Sequence, residues 1–274
     1  MDKLNFNGAV LQKIEKEDKF NFNCSACGQC CMGRSNDIIL YPYDVFRIAK
    51  GLGISTEEVI SKKHCNIHMG KNSKLPIVTL NNKTLPDERV ICTFLKKKEG
   101  VYRCQVHAFK PSVCRLYPLG RAVKIDVKEN KTELNYYMQE VLCGNNKAED
   151  SWHSIDEWIP ERLDTEKALV EFSQLTQTLN EAVNLERLFN SKKLMPKTKD
   201  MAINVLVEFL YVRYDTEKDF FEQFKSNLEE LKKAFVVMVF MCKTSDSKVQ
   251  GTNHGTANLT FDSVVKMMEE IKKN

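Results

Sequence analysis

Apolar residues come in short, separated runs along the first half of the chain, and the runs imply strands and turns. Ile38, Ile39 and Leu40 form a short strand from Asp37 to Tyr41 that ends at Pro42. From Tyr43, the residues Val45, Phe46, Ile48 and Ala49 recur at helical spacing and stop at Gly51 and Gly53. Ser55 with Glu58 is a capping box, which predicts a second helix over 56–63. Leu75–Leu80 and Val90–Leu95 alternate as strands do. Lys96–Gly100 is a polar turn, and Val101–Val106 returns as the second arm of a hairpin that sets Cys92 near Cys104 across the strands. Pro111 suits the start of a short helical turn presenting Cys114, and two further strands are expected over 123–127 and 133–137. Residues 1–23, polar with scattered Leu4, Phe6, Val10, Leu11 and Ile14, suggest a leading helix or an ordered arm.

The period changes near residue 145. Asn145–Asp150 is a polar linker, and from there the spacing is helical. One helix is expected over 155–162. Asp164 is placed to cap a long one reaching about Phe189, with Leu169, Phe172, Leu175, Leu179, Val183 and Leu188 on one face. Pro196 breaks it, Met201–Tyr214 is apolar enough to be central, and Asp215 is placed to cap a helix to about Cys242. A loop over 244–258 and a last helix over 261–273 complete the chain. The fold class is therefore α+β: a small cysteine-rich, metal-stabilised hairpin and loop module over 1–145, then a mostly helical region over 146–274 packed on or beside it. The helices have the surface to cover the module, to pair two copies or to wall a substrate pocket.

The chemistry lies in the cysteines. Cys24, Cys27, Cys30 and Cys31 fall within eight residues, and such spacing brings several sulfurs onto one ion at roughly 2.3 Å. Adjacent cysteines seldom share an ion, so Cys30 and Cys31 are expected to point to different places. Cys92, Cys104, Cys114 and Cys143 follow, in the contexts Cys92-Thr93-Phe94-Leu95, Cys104-Gln105-Val106-His107, Pro111-Ser112-Val113-Cys114-Arg115-Leu116-Tyr117-Pro118 and Cys143-Gly144. His107 is placed for a supporting hydrogen bond or a nitrogen ligand. His64, Cys65 and His68 sit beyond the motif and suit a loop around one buried thiol, and Cys242 stands alone at a helix end.

The run CxxCxxCC, then CxFL, CxxH, PxxCRxYP and CG, resembles the zinc- or iron-chelating CxxCxxCC domain, the YkgJ-like family, over about residues 20–145. The resemblance implies a metal-binding module in which Cys24, Cys27, Cys30, Cys31, Cys92, Cys104, Cys114 and Cys143 are the ligands, and it implies no particular reaction. An all-thiolate set suits zinc or an iron–sulfur cluster, and the spacing shared with ferredoxin runs tips the reading slightly toward iron–sulfur.

Charge and compartment refine this picture. The formal charge of +4 falls to zero once eight thiolates hold two zinc ions, so a nucleic-acid partner is disfavoured, and the sequence leaves a protein or a small molecule open as partner. The charged N-terminus lacks a signal-peptide core, and reduced thiols fit a cytoplasmic home. The apolar run Phe235–Cys242 is too short to span a membrane, and the C-terminal helices offer a surface for homo-oligomerisation. Three function classes remain: a metal-dependent binding module; an electron-transfer or metal-delivery protein; and an enzyme, because the cysteine-rich character resembles that of the flagellin lysine N-methylase family, a resemblance that implies an S-adenosylmethionine-dependent protein lysine N-methylase-like enzyme using an iron–sulfur cluster. No glycine-rich nucleotide loop supports the enzyme.

Overall fold

The computed structural model describes residues 3–6, 9–33, 38–70, 75–126, 131–139, 151–183 and 196–248. It has a strand-rich first half and a helical second half, the α+β class. Two compact units are present, one of residues 1–67 and 78–174, the other of residues 68–77 and 175–274.

The first unit opens on a hairpin, β1 (Lys3–Phe6) with β2 (Ala9–Ile14), in place of the expected leading helix or arm. The reason is pairing: β2 continues onto a long β-ribbon, with Ile14 opposite Tyr136. β3 (Phe20–Asn21) leads into the cysteine run, whose Gln29–Cys31 forms one 3₁₀ turn. β4 (Ile39–Leu40) precedes helix α1 (Pro42–Leu52), which starts on proline, buries Val45, Phe46, Ile48 and Ala49, and ends at Gly53 with φ 65°. Helix α2 (Thr56–Val59) opens on the expected Ser55–Glu58 box and runs into a π-turn over Ile60–His64.

Next come β5 (Cys65–Met69), β6 (Pro76–Leu80), β7 (Asn82–Thr84), β8 (Val90–Cys92), β9 (Leu95–Lys98) and β10 (Val101–Cys104). Here the sequence-based hairpin is corrected. β8 pairs with β7, setting Cys92 opposite Asn82, whereas β9 pairs with β10, setting Cys104 opposite Leu95. A turn at Thr93-Phe94 splits the anticipated strand, and Gln105 donates its N–H to the Phe94 carbonyl at 2.9 Å. The two cysteines thus sit on neighbouring ribbons.

Helix α3 (Ser112–Leu116) carries Cys114, as Pro111 implies, and flows into β11 (Leu119–Asp126), paired along its length with β12 (Lys131–Met138). β13 (Trp152–His153) pairs with β3, and α4 (Ile155–Trp158) opens on a Ser154–Glu157 capping box. These elements enclose a core of Ile14, Phe20, Phe22, Leu116, Leu119, Tyr136, Ile155 and Ile159. The Trp158 ring meets Phe20 and Phe22 edge-on at 5.9 and 5.4 Å, and its indole N–H donates to the Tyr117 carbonyl at 3.2 Å. Each fully buried side chain of this size contributes roughly 1.5–3 kcal/mol, so this core is a main hold on the segment that carries the thiols.

Helix α5 (Arg162–Val183) begins two residues before Asp164, which lies in its first turn and does not stand as its cap. Pro196, expected to break the preceding helix, starts α6 (Pro196–Val207), which suits proline because it lacks only an N–H that a first turn leaves unused; the end of the preceding helix lies outside the described residues. A π-turn over Glu208–Val212 follows. Helix α7 (Phe220–Lys248) is capped by Asp219, whose carboxylate accepts the Glu222 N–H at 2.9 Å, and Asp215 instead takes the Glu217 N–H at 3.0 Å in the preceding turn. Within the second unit Tyr214, Phe220 and Phe224 stack in series at 5.2 and 5.4 Å. Thr244–Lys248, expected as loop, extends α7. The linker over 145–150, the helix end over 184–189 and the last helix over 261–273 lie outside the described residues.

Candidate metal centre

Seven of the eight motif cysteines line one cavity of about 60 Å3 in the first unit: Cys24, Cys27, Cys30, Cys31, Cys92, Cys104 and Cys114. Cys143 lies outside the described residues. The wall between the sulfurs is largely apolar, with Phe22, Leu80, Val106, Pro111 and Tyr117 beside the small residues of the cysteine run, and His107 and Lys110 also line it. Cys24 and Cys27 are exposed, while Cys30, Cys31, Cys92, Cys104 and Cys114 are half-buried.

Cys30 and Cys31 do not diverge. Their Sγ atoms are 3.8 Å apart, and both residues line the cavity from the 3₁₀ turn Gln29–Cys31. A tetrahedral site with metal–sulfur bonds of about 2.3 Å has sulfur–sulfur edges of about 3.8 Å, so the pair suits one shared ion. Cys31 also hydrogen-bonds Cys104. The turn is held open by Gly28, which sits at φ 76° and whose missing side chain leaves room for Leu95, Met32 and Tyr102.

The electrostatics favour thiolate once a cation arrives. Cys31 is driven far above the usual thiol range by its hydrogen bonds to Cys104 and Cys30 and by burial. Cys104 moves down to about 7, chiefly because the Cys31 thiol donates to it, with help from the Val106 N–H and Lys110. Cys92 is raised by burial, although the N–H groups of Phe94 and Leu95 point at its sulfur. A backbone N–H two residues on is thus aimed at the sulfur on each ribbon, with a second from Leu95 at Cys92, an arrangement that stabilises negative charge on them. A single negative sulfur among packed thiols is tolerated near neutrality. Further ionisation needs a bound cation. His107 is lowered by burial and by Lys110, Arg115 and Arg103, and so stays neutral with an acceptor nitrogen.

Among the described residues, no three of these side chains already stand at the spacing one ion demands, so binding requires side-chain rotation to close the set. The donor chemistry fits a thiophilic metal: seven sulfurs, one imidazole and no carboxylate line the space.

The remaining candidates lie elsewhere. Cys65 is buried in β5 and pushed up to about 12 by that burial, the His64 ring stacks on Phe94 at 4.9 Å, and His68 is exposed. Arg115 pairs with the Glu161 carboxylate at 3.6 Å. The side chain of Cys242 lies outside the described residues.

Sequence reasoning missed the support for Cys114. Asp44, with no exposed surface, accepts the Ser112 N–H at 2.7 Å, the Ser112 hydroxyl at 2.5 Å and the Tyr41 N–H at 3.0 Å. Burial raises its carboxyl above the usual range against those donors. An aspartate just inside a proline-started helix was the available signal, but it points to a helix cap and says nothing of a contact 68 positions away.

A cavity lined by cysteines from two small antiparallel ribbons, a 3₁₀ turn and a short helix is the arrangement of a metal-chelating class of domain. Residues 23–144 match the family model CxxCxxCC, described as "putative zinc- or iron-chelating domain". The stretch matched is the one whose motifs carry the resemblance. No solved structure matches the chain. No helix of the described residues is long and apolar enough to cross a membrane.

Proposed function

We propose that this chain binds zinc or iron through a single thiolate centre built from the seven converging cysteines, and that the bound metal holds the first unit together. The observation that carries the reading is the gathering of sulfurs separated by up to ninety positions around one apolar cavity, with backbone N–H groups directed at Cys92 and Cys104. Closing such long loops through metal stabilises a fold strongly; zinc supplies of order 10–16 kcal/mol in small peptides. The 3.8 Å Cys30–Cys31 pair favours a discrete ion, zinc or iron, shared by those two sulfurs and further thiolates of the same centre. The CxxCxxC spacing supports an iron–sulfur cluster as the second reading.

Anaerobic purification, an absorption spectrum and elemental analysis decide between them. A colourless protein with stoichiometric zinc is expected for the first, and a band near 400 nm with acid-labile sulfide for the second. A chain that retains neither metal after reconstitution overturns both.

A further inference from the structure

Helix α1 presents a stripe to the segment between Cys104 and Cys114, and the stripe runs along the segment in antiparallel order. Asp44 holds both the N–H and the hydroxyl of Ser112. One turn on, Arg47 reaches the Lys110 carbonyl at 3.5 Å and the Glu161 carboxylate at 2.7 Å. A turn later Gly51 lies under Phe109, where a methyl group would collide with the ring. Residues 44, 47 and 51 fall on one helical face, as their spacing requires. Glu161 also takes Arg115, so α3 is tied at its first residue by Asp44 and along its flank by Glu161. Cys114 lies between those two ties, on a helix of five residues too short to hold its own direction.

We infer that Asp44 is a positioning residue for Cys114: through Ser112 it fixes the helix that aims this thiol into the metal cavity, with α1 as the template. The inference rests on the metal-binding reading above. Side chains that orient ligands from behind typically contribute 10–100-fold to metal affinity. Asp44 touches no metal in this scheme, and its whole effect passes through one sulfur.

The test uses the full chain with cobalt(II) as spectroscopic probe and zinc in competition with a chromophoric chelator. Wild type, Asp44→Asn, Ser112→Ala, Cys114→Ser and the double variant Asp44→Asn/Cys114→Ser are compared. Asp44→Asn is expected to weaken metal affinity about 10–100-fold and to lose part of the thiolate-to-cobalt absorption. In the Cys114→Ser background it is expected to change affinity no further, which general destabilisation would not reproduce. Ser112→Ala removes only the hydroxyl bond and keeps the two backbone N–H bonds to the buried carboxylate, so it is expected to weaken metal affinity less than Asp44→Asn does and to give a reading where Asp44→Asn fails to fold; wild-type affinity in Ser112→Ala then counts against the inference. A full cobalt band and wild-type affinity in Asp44→Asn, or an equal loss with and without Cys114, overturns the inference alone. A wild-type chain that takes up neither metal overturns the metal reading and this inference with it.

Discussion

Tyr136 shows how a single side chain stabilises the wall behind the centre. Its hydroxyl donates to the Glu166 carboxylate at 2.5 Å, and Glu166 is held from the other side by Arg162 at 2.9 Å. Burial, and then that hydrogen bond, push the phenol up to about 12. A raised acid stabilises the fold fully below its ordinary value, near 10, and the stability is lost as pH rises toward 12. Tyr136→Phe is expected to cost about 1.5–3 kcal/mol in urea melts near neutral pH, with the gap to wild type narrowing above pH 10. At this scale the cysteines were legible because thiols in close sequence spacing carry few other meanings. Asp44, Ser112 and Glu161 were not, since each is ordinary in its own neighbourhood and acquires its role from a partner distant in the chain.

Short elements here are placed by what they pack against. Gly51 sits in the last turn of α1, where alanine ordinarily gains up to about 1 kcal/mol of helix propensity. The Phe109 ring occupies the space the methyl would need, and overpacking costs typically 1–3 kcal/mol, so the collision wins. Gly51→Ala is expected to lower the melting temperature in wild type and to raise it in a Phe109→Ala background, a reversal of sign that thermal melts detect. Ser55→Ala, which removes the hydroxyl that accepts the Glu58 N–H at the start of α2, is expected to cost about 1 kcal/mol in thermal or urea melts. The Ser55–Glu58 box and the helical turn led by Pro111 were legible because they depend on local residues. The true pairing of β8 and β9 was not, because a break at Thr93-Phe94 and a partner in β7 decide it, and alternation alone is silent on which strand is neighbour to which.

Across the molecule, the period change near residue 145 marks the passage from strands to helices, yet the compact unit that holds the thiols also includes residues 151–174. Trp158 and Glu161 belong to that stretch and brace Phe22, Tyr117 and Arg115. Removing metal with a strong chelator, or Cys27→Ser, is expected to strip hydrogen-exchange protection from the strands around the cavity while leaving the α6–α7 region protected. Native protection throughout a fully metal-free chain would refute this.

The order of the ligands along the chain also sets a timetable. At ribosomal speeds of roughly 5–20 residues per second, the roughly eighty residues from Cys31 to Cys114 take roughly 4–16 s to be made. For that interval the leading four sulfurs emerge without the later ones that complete their cage. If these sulfurs hold the ion as proposed, its capture is a late event in biogenesis, and a nascent polypeptide stalled before Cys114 carries the first four thiols without their partners.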